Sequence, residues 1–292
     1  TCAEVTQEIL VLDFRSGWWT GGGGGEFSTT ALSAMVEPCS NIHVEYHHFE
    51  VDFRIRCDAS SSAPANCQQI SGSISTATAQ EILSWFGQPS LDDYTQLWIL
   101  SGSELDAADV TLTGSLFSHF LGETSGSCIP VLFGAGDGFI DHGNAVTGQL
   151  GLGEVFSTEL PQPGFFSVAF STLPSVVNVD THMQSGAQLE NHLLFTGVNS
   201  LADGVSSDFQ SAHGDSIAEN TGLYQVIAHD TQNRPAIAVG DIELPGDDDR
   251  PFIIDAGFQR FYATGFEPDT RRFLQNMVLY LGLVGCKAEI PK

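Results

Sequence analysis

The chain has 292 residues, 42% of them hydrophobic and only 16% charged, with 20 Phe. That is enough apolar material for a large core and excludes a disordered polymer. The 36 Asp and Glu outnumber the 10 Lys and Arg, giving a formal charge of −26, which repels phosphate backbones and anionic lipid and so excludes nucleic acid and membrane surfaces as natural partners.

The first element in chain order is EILVLDF, Glu8 to Phe14, an apolar run expected to be a strand that ends at a Gly-rich loop and leads into a helical stretch from Ser28. NIHVEYHHFEVDFRI, from Asn41, alternates strongly and reads as one long second strand. A Ser-rich loop, a helix over Ala77 to Phe86 and the strand TQLWILSG follow. A helical segment over Val110 to Leu121 then precedes a strand at Cys128 to Phe133 that ends in glycines. The second half is richer in strand patterns: FFSVAFST, HLLFTGV, LYQVIAHDT, PAIAVGDIEL and PFIIDAGF. A closing helix over Thr270 to Gly282 carries Phe273, Leu274, Met277, Val278 and Leu281 on one stripe. Strands alternating with helices imply βαβ units. The expected fold is therefore a single α/β domain over 1–292: a mostly parallel sheet flanked by helices, flavodoxin-like in class, with extra β-rich segments in its second half.

Six cysteines, none in a CxxC or metal-ligand spacing, fit disulfides in an oxidising compartment, so a secreted, periplasmic or extracellular location is expected. Cys57 and Cys67 bracket DASSSAPAN, and a local bridge would pin that stretch. Cys2 with Cys286, and Cys39 with Cys128, complete one consistent pairing among several. No run reaches the roughly 18–20 apolar residues of a membrane span, and a leader, on this reading, would have been removed before Thr1.

The order of elements, with HLLFTGVNSLADG, RPAIAVGD and PFIIDAGFQRFYATGFEPDTRRFLQNMVLYLG, resembles the class I glutamine amidotransferase-like superfamily, including its trehalose-utilisation-like members. The resemblance spans roughly Glu8 to Gly285. It implies a nucleophile elbow after VLFGAGDG, where that superfamily presents a cysteine beside backbone N–H groups. The matching position here is about Gly136, next to Asp137, and it carries no thiol. The strand FIIDAGFQRF likewise has no His followed by an acid. Ammonia release from glutamine is therefore not expected.

In open α/β sheets ligands bind beyond the carboxyl ends of the strands. That rule selects Asp13 and Arg15 after the first strand, Ser101 and Ser103 after LWIL, Asp137, Asp141 and His142 after VLFGAG, and Asp255 and Arg260 around the last strand. Asp137 and His142 form the candidate acid/base pair, and the others are candidate binding residues. The loop SGWWTGGGGGEF has five consecutive glycines and offers Trp18 and Trp19 for stacking on a sugar ring or a partner protein. His43 and His47 share a strand face roughly 13 Å apart, too far to hold one ion, and read as packing or surface residues. His182 and His213 join a site only if loops bring them in.

No cofactor motif is identified; a divalent cation such as calcium is the ion that the acidic composition favours. Two function classes follow. One is a secreted amidotransferase-like domain without glutaminase activity, acting as a binding or extracellular assembly module for a protein partner, a carbohydrate or itself. The other is a secreted hydrolase, carbohydrate-directed, using carboxylates and His142. If the strands run as expected, at least three of Asp13, Arg15, Asp137, His142, Asp255 and Arg260 gather within about 8 Å at one sheet edge.

Overall fold

A computed structural model describes residues 5–14, 32–33, 40–49, 53–60, 63–71, 93–100, 129–134, 144, 147–148, 156–157, 176–177, 193–198, 201–202, 216–217, 224–229, 235–243, 249–255 and 268–284. Thirteen strands lie among them: β1 (Val5–Asp13), β2 (Ser40–Phe49), β3 (Phe53–Ser60), β4 (Ala63–Ser71), β5 (Gln96–Leu100), β6 (Val131–Gly134), β7 (Phe156–Ser157), β8 (Val176–Val177), β9 (Leu201–Ala202), β10 (Ser216–Ile217), β11 (Tyr224–His229), β12 (Pro235–Glu243) and β13 (Asp249–Asp255). They are followed by the helix α1 (Pro268–Val284).

Nine strands form one sheet in the order β11-β12-β13-β6-β5-β1-β2-β3-β4, and β10-β7 and β8-β9 form two further two-stranded sheets. The central strands β13, β6, β5, β1 and β2 run parallel. Antiparallel strands close both flanks, β3 and β4 on one side and β12 and β11 on the other. The central strands are buried on both faces: Leu10, Leu12, Ile99 and Phe133 on one, Ile9, Val11, Trp98 and Leu132 on the other, are each at most 2% exposed. Continuous apolar sequences such as LWIL and VLFG follow directly from that two-sided burial.

Helix α1 covers one face. Pro268 opens it, where a missing N–H costs nothing, and Phe273, Leu274, Met277, Val278 and Leu281 enter the core that also holds Ile9, Val11, Val44, Trp98 and Ile253. A polar seam fixes the docking. Gln96 Nε2 donates to Gln7 Oε1 at 2.7 Å and to the Val278 carbonyl at 2.8 Å, and Trp98 Nε1 donates to Gln96 Oε1 at 3.1 Å. Asn276 Nδ2 donates to the carbonyls of Leu194 and Thr196, both at 2.9 Å, and so pins the 193–198 turn against the helix.

These findings overturn the expected helix-flanked, mostly parallel α/β sheet. Among the described residues the protein is mostly strand, its sheet is mixed, and α1 is the one long helix. The physical reason is chain reversal: the alternation in NIHVEYHHFEVDFRI continues through a change of direction. The single long strand expected there is two antiparallel strands, with His43 opposite Ser60 and Phe49 opposite Arg54. The Ser-rich loop after it is instead the β3–β4 ladder. HLLFTGV, expected as a strand, holds a 3-10 turn at Leu193–Phe195, followed by Gly197 at φ 72°, a backbone angle that favours glycine. The helices expected at 77–86 and 110–121, the Gly-rich loop and FFSVAFST lie outside the described residues.

Candidate functional site

The parallel strands end level with one another. His48, Asp13, Leu100, Gly134 and Asp255 sit in one register row across β2, β1, β5, β6 and β13. Their strands run the same way, so this row is the carboxyl edge of the parallel block, where an open sheet presents ligand sites. Asp13 and Asp255 both stand in it, each 0% exposed. Three strand spacings of about 4.8 Å separate them, about 14 Å in all, so one ion cannot join them.

A buried carboxylate needs donors to offset its lost hydration. Asp13 has the Tyr46 hydroxyl, donating to Oδ2 at 2.7 Å, and the His48 ring lies beside it with Nδ1 3.5 Å from Oδ2, an ion-pair distance when the ring is protonated. Tyr46 and His48 reach it because alternate residues of β2 share a face and the parallel register sets His48 beside Asp13. Phe14 and Phe49 stack above the strand ends, centroids 4.8 Å apart. Carboxylate, phenol and imidazole are an acid/base set by type, but all three are at most 1% exposed. As placed, they hold strand ends together rather than meet solvent.

A second cluster occupies the opposite face of β2. Glu45 Oε1 accepts from His47 Nε2 and from an Arg56 guanidinium nitrogen, each at 2.9 Å, and Oε2 accepts from the Tyr94 hydroxyl at 2.6 Å. Burial alone would push this carboxyl up. The hydrogen bonds from His47 and Tyr94 and the charges of His47 and Arg56 outweigh it and hold Glu45 at about 2. Burial and the Glu45 carboxylate push the Tyr94 hydroxyl well above its ordinary value. Glu45 is thus ionised throughout the physiological range and carries no exchangeable proton there.

The third cluster crosses three strands. The His43 ring meets Glu8 of β1 through Nδ1 and Asp58 of β3 through Nε2, the latter at 2.5 Å. A ring with a carboxylate at each nitrogen satisfies both only as imidazolium, the form in which both nitrogens donate. Burial works against the charge, but the bonds and charges of Asp58 and Glu8 prevail and raise the His43 pKa.

Of the residues selected from sequence, Asp13 and Asp255 are described and stand in the same edge row. Arg15, Trp18, Trp19, Ser101, Ser103, Asp137, Asp141, His142, Arg260, His182 and His213 lie outside the described residues, as do Cys2, Cys39, Cys128 and Cys286. Cys57 and Cys67 form the disulfide, bridging β3 and β4 as directly facing residues. His43 and His47 engage separate partners rather than a common ion. Sequence reasoning missed Glu45, Tyr46, His48, Arg56 and Tyr94. The available signal was the polar residues at alternate positions of HVEYHH, within a strand whose neighbours are apolar. Among the described residues no group of three or more His, Cys, Asp or Glu is arranged to hold a metal ion, and no helix is long and apolar enough to cross a membrane. Comparison with known protein families, curated proteins and solved structures finds no match to this chain.

Proposed function

We propose that the chain is a secreted, disulfide-stapled binding or extracellular assembly module without glutaminase activity. The observation that carries the reading is the Cys57–Cys67 bridge at the flank of the main sheet, with Cα atoms 4.0 Å apart. A disulfide at that place reinforces the part of a sheet most exposed to other chains and persists in an oxidising compartment. The described ionisable side chains support the same reading. Asp13 and His43 hydrogen-bond from one strand to the next, and Glu45 is ion-paired across to Arg56 of β3. The likeness to amidotransferases enters only through what the sequence lacks, since no cysteine falls between Cys128 and Cys286, so none stands where that superfamily places its nucleophile.

Two assays test this. Incubation with glutamine is expected to release no ammonia above the rate of buffer alone, and intact mass after alkylation without reductant is expected to show Cys57 and Cys67 unmodified. A glutaminase rate abolished by a thiol alkylator would overturn the first part, and six alkylated thiols in protein from its native compartment would overturn the second.

A further inference from the structure

The two outer strands of the main sheet differ in a way that bears on assembly. β11 is irregular: its register with β12 shifts between Val226 and Ala228 and again between Ala228 and His229. Such bulges keep an edge from accepting another strand. β4, the outer strand on the other side, pairs with β3 without a break from Asn66 to Ser71. Its nine residues, APANCQQIS, carry no charge in a chain of net charge −26, and Asn66, Cys67, Gln68 and Gln69 are exposed. The strand has Pro64 near its start and its register with β3 shifts between Asp58 and Ser60, but from Asn66 to Ser71 it has none of the usual guards of an edge, a lysine, an inward charge, a proline or a bulge.

The disulfide also fixes which backbone groups point outward. Directly facing antiparallel residues lie about 5.5 Å apart when they exchange hydrogen bonds and about 4.5 Å when they do not. Cys57 and Cys67, at 4.0 Å, are therefore a pair of the second kind. The N–H and C=O of Cys67 then point away from β3, and those of Gln69 and Ser71 do the same, two and four residues on.

We propose that β4 pairs antiparallel with β4 of a second copy of this chain, about a two-fold axis at Gln69. In that register Gln69 faces its own counterpart and Cys67 faces Ser71 of the other copy, giving about six backbone hydrogen bonds. The occupant follows from charge: on a −26 chain an uncharged strand can meet its own copy without setting like charges opposite one another, and of the two uncharged outer strands β11 is the one broken by two register shifts. The inference deepens the assembly reading above. A single strand pair buries less than a standard interface, so the dimer is weak. The two −26 bodies repel at a distance, so added salt strengthens it.

Sedimentation velocity from micromolar to millimolar protein tests the proposal on the full chain, alongside Gln69→Lys, Gln69→Glu and an equimolar mixture of the two. Expected are a concentration-dependent dimer that tightens with sodium chloride, weakening of about threefold or more in each variant, and recovery in the mixture, where Lys faces Glu across the axis. Recovery cannot arise from misfolding, and an intact Cys57–Cys67 bridge in each variant reports on the β3–β4 ladder. A monomer at every concentration, a dimer indifferent to residue 69, or one that dissociates with salt overturns the proposal. None of these results bears on the glutaminase and alkylation assays, so the two readings fail separately.

Discussion

Replacing Glu45 with Gln tests whether the cluster on β2 stabilises the fold through charge. The carboxylate is held at about 2 against an ordinary value of 4.5, a difference worth about 3 kcal/mol at 1.36 kcal/mol per pH unit. Its side chain is only 11% exposed, so solvent screening trims this to about 2–3 kcal/mol. The sign follows from the lowered pKa. The contribution is fully present above about pH 4.5 and is lost as pH falls toward 2. Glu45→Gln keeps the shape but removes the charge facing Arg56. Urea unfolding of both proteins at a series of pH values is expected to show the variant less stable by about 2–3 kcal/mol near neutrality. That gap narrows steadily below about pH 4.5. Taking the difference cancels the acid sensitivity of the other carboxyls. A gap that stays constant down to about pH 2.5, or no gap at neutrality, would refute the electrostatic account.

Because the His43 pKa is raised, its contribution is complete below its unfolded value of about 6.5 and lost as pH rises through the folded value. His43→Gln should therefore destabilise more at about pH 6 than at about pH 9, and a ring NMR titration midpoint below 6.5 would contradict this. Opening the loop closed by Cys57 and Cys67, ten positions apart, through Cys57→Ala with Cys67→Ser should cost about 2.5–3 kcal/mol in thermal unfolding; an unchanged melting temperature would deny the bridge its role. Gly282→Ala sets a Cβ 2.6 Å from Gln7 Oε1, an atom already held by Gln96 and Thr95. Loss of stability by about 1 kcal/mol is expected, whereas a gain would mean that helix propensity outweighs the crowding.

The strands that sequence reveals are those whose surroundings impose a pattern. EILVLDF, LWIL and PFIID carry unbroken apolar centres because their strands are covered on both faces, and the stripe in α1 is legible because one side of it meets the sheet. Reversal between β2 and β3 is invisible, since alternation at period two is the same in either direction and Glu50, Val51 and Asp52 contain no glycine or proline. The short apolar run in HLLFTGV misleads because its two buried residues, Leu194 and Phe195, suit a turn as well as a strand; Gly197 was the cue against it. At the site, Asp13 is recognisable as a residue closing a strand, and its partners are not. Tyr46 and His48 reach it through the register of a neighbouring strand, and Tyr94 reaches Glu45 from 49 positions away. Such meetings are properties of the pairing, not of any local stretch.

The order in which strands join the sheet has a consequence for biosynthesis. β6 takes its second neighbour from β13, which emerges from the ribosome about 115 residues later, or roughly 6–23 seconds at elongation rates of about 5–20 residues per second. For that interval the apolar strand VLFG borders a half-built sheet. Helix α1, whose Val278 carbonyl receives Gln96, arrives later still. A nascent chain must therefore wait with β6 lacking its β13 neighbour and α1 not yet docked, so translation pauses before Asp249 should lower the yield of native protein.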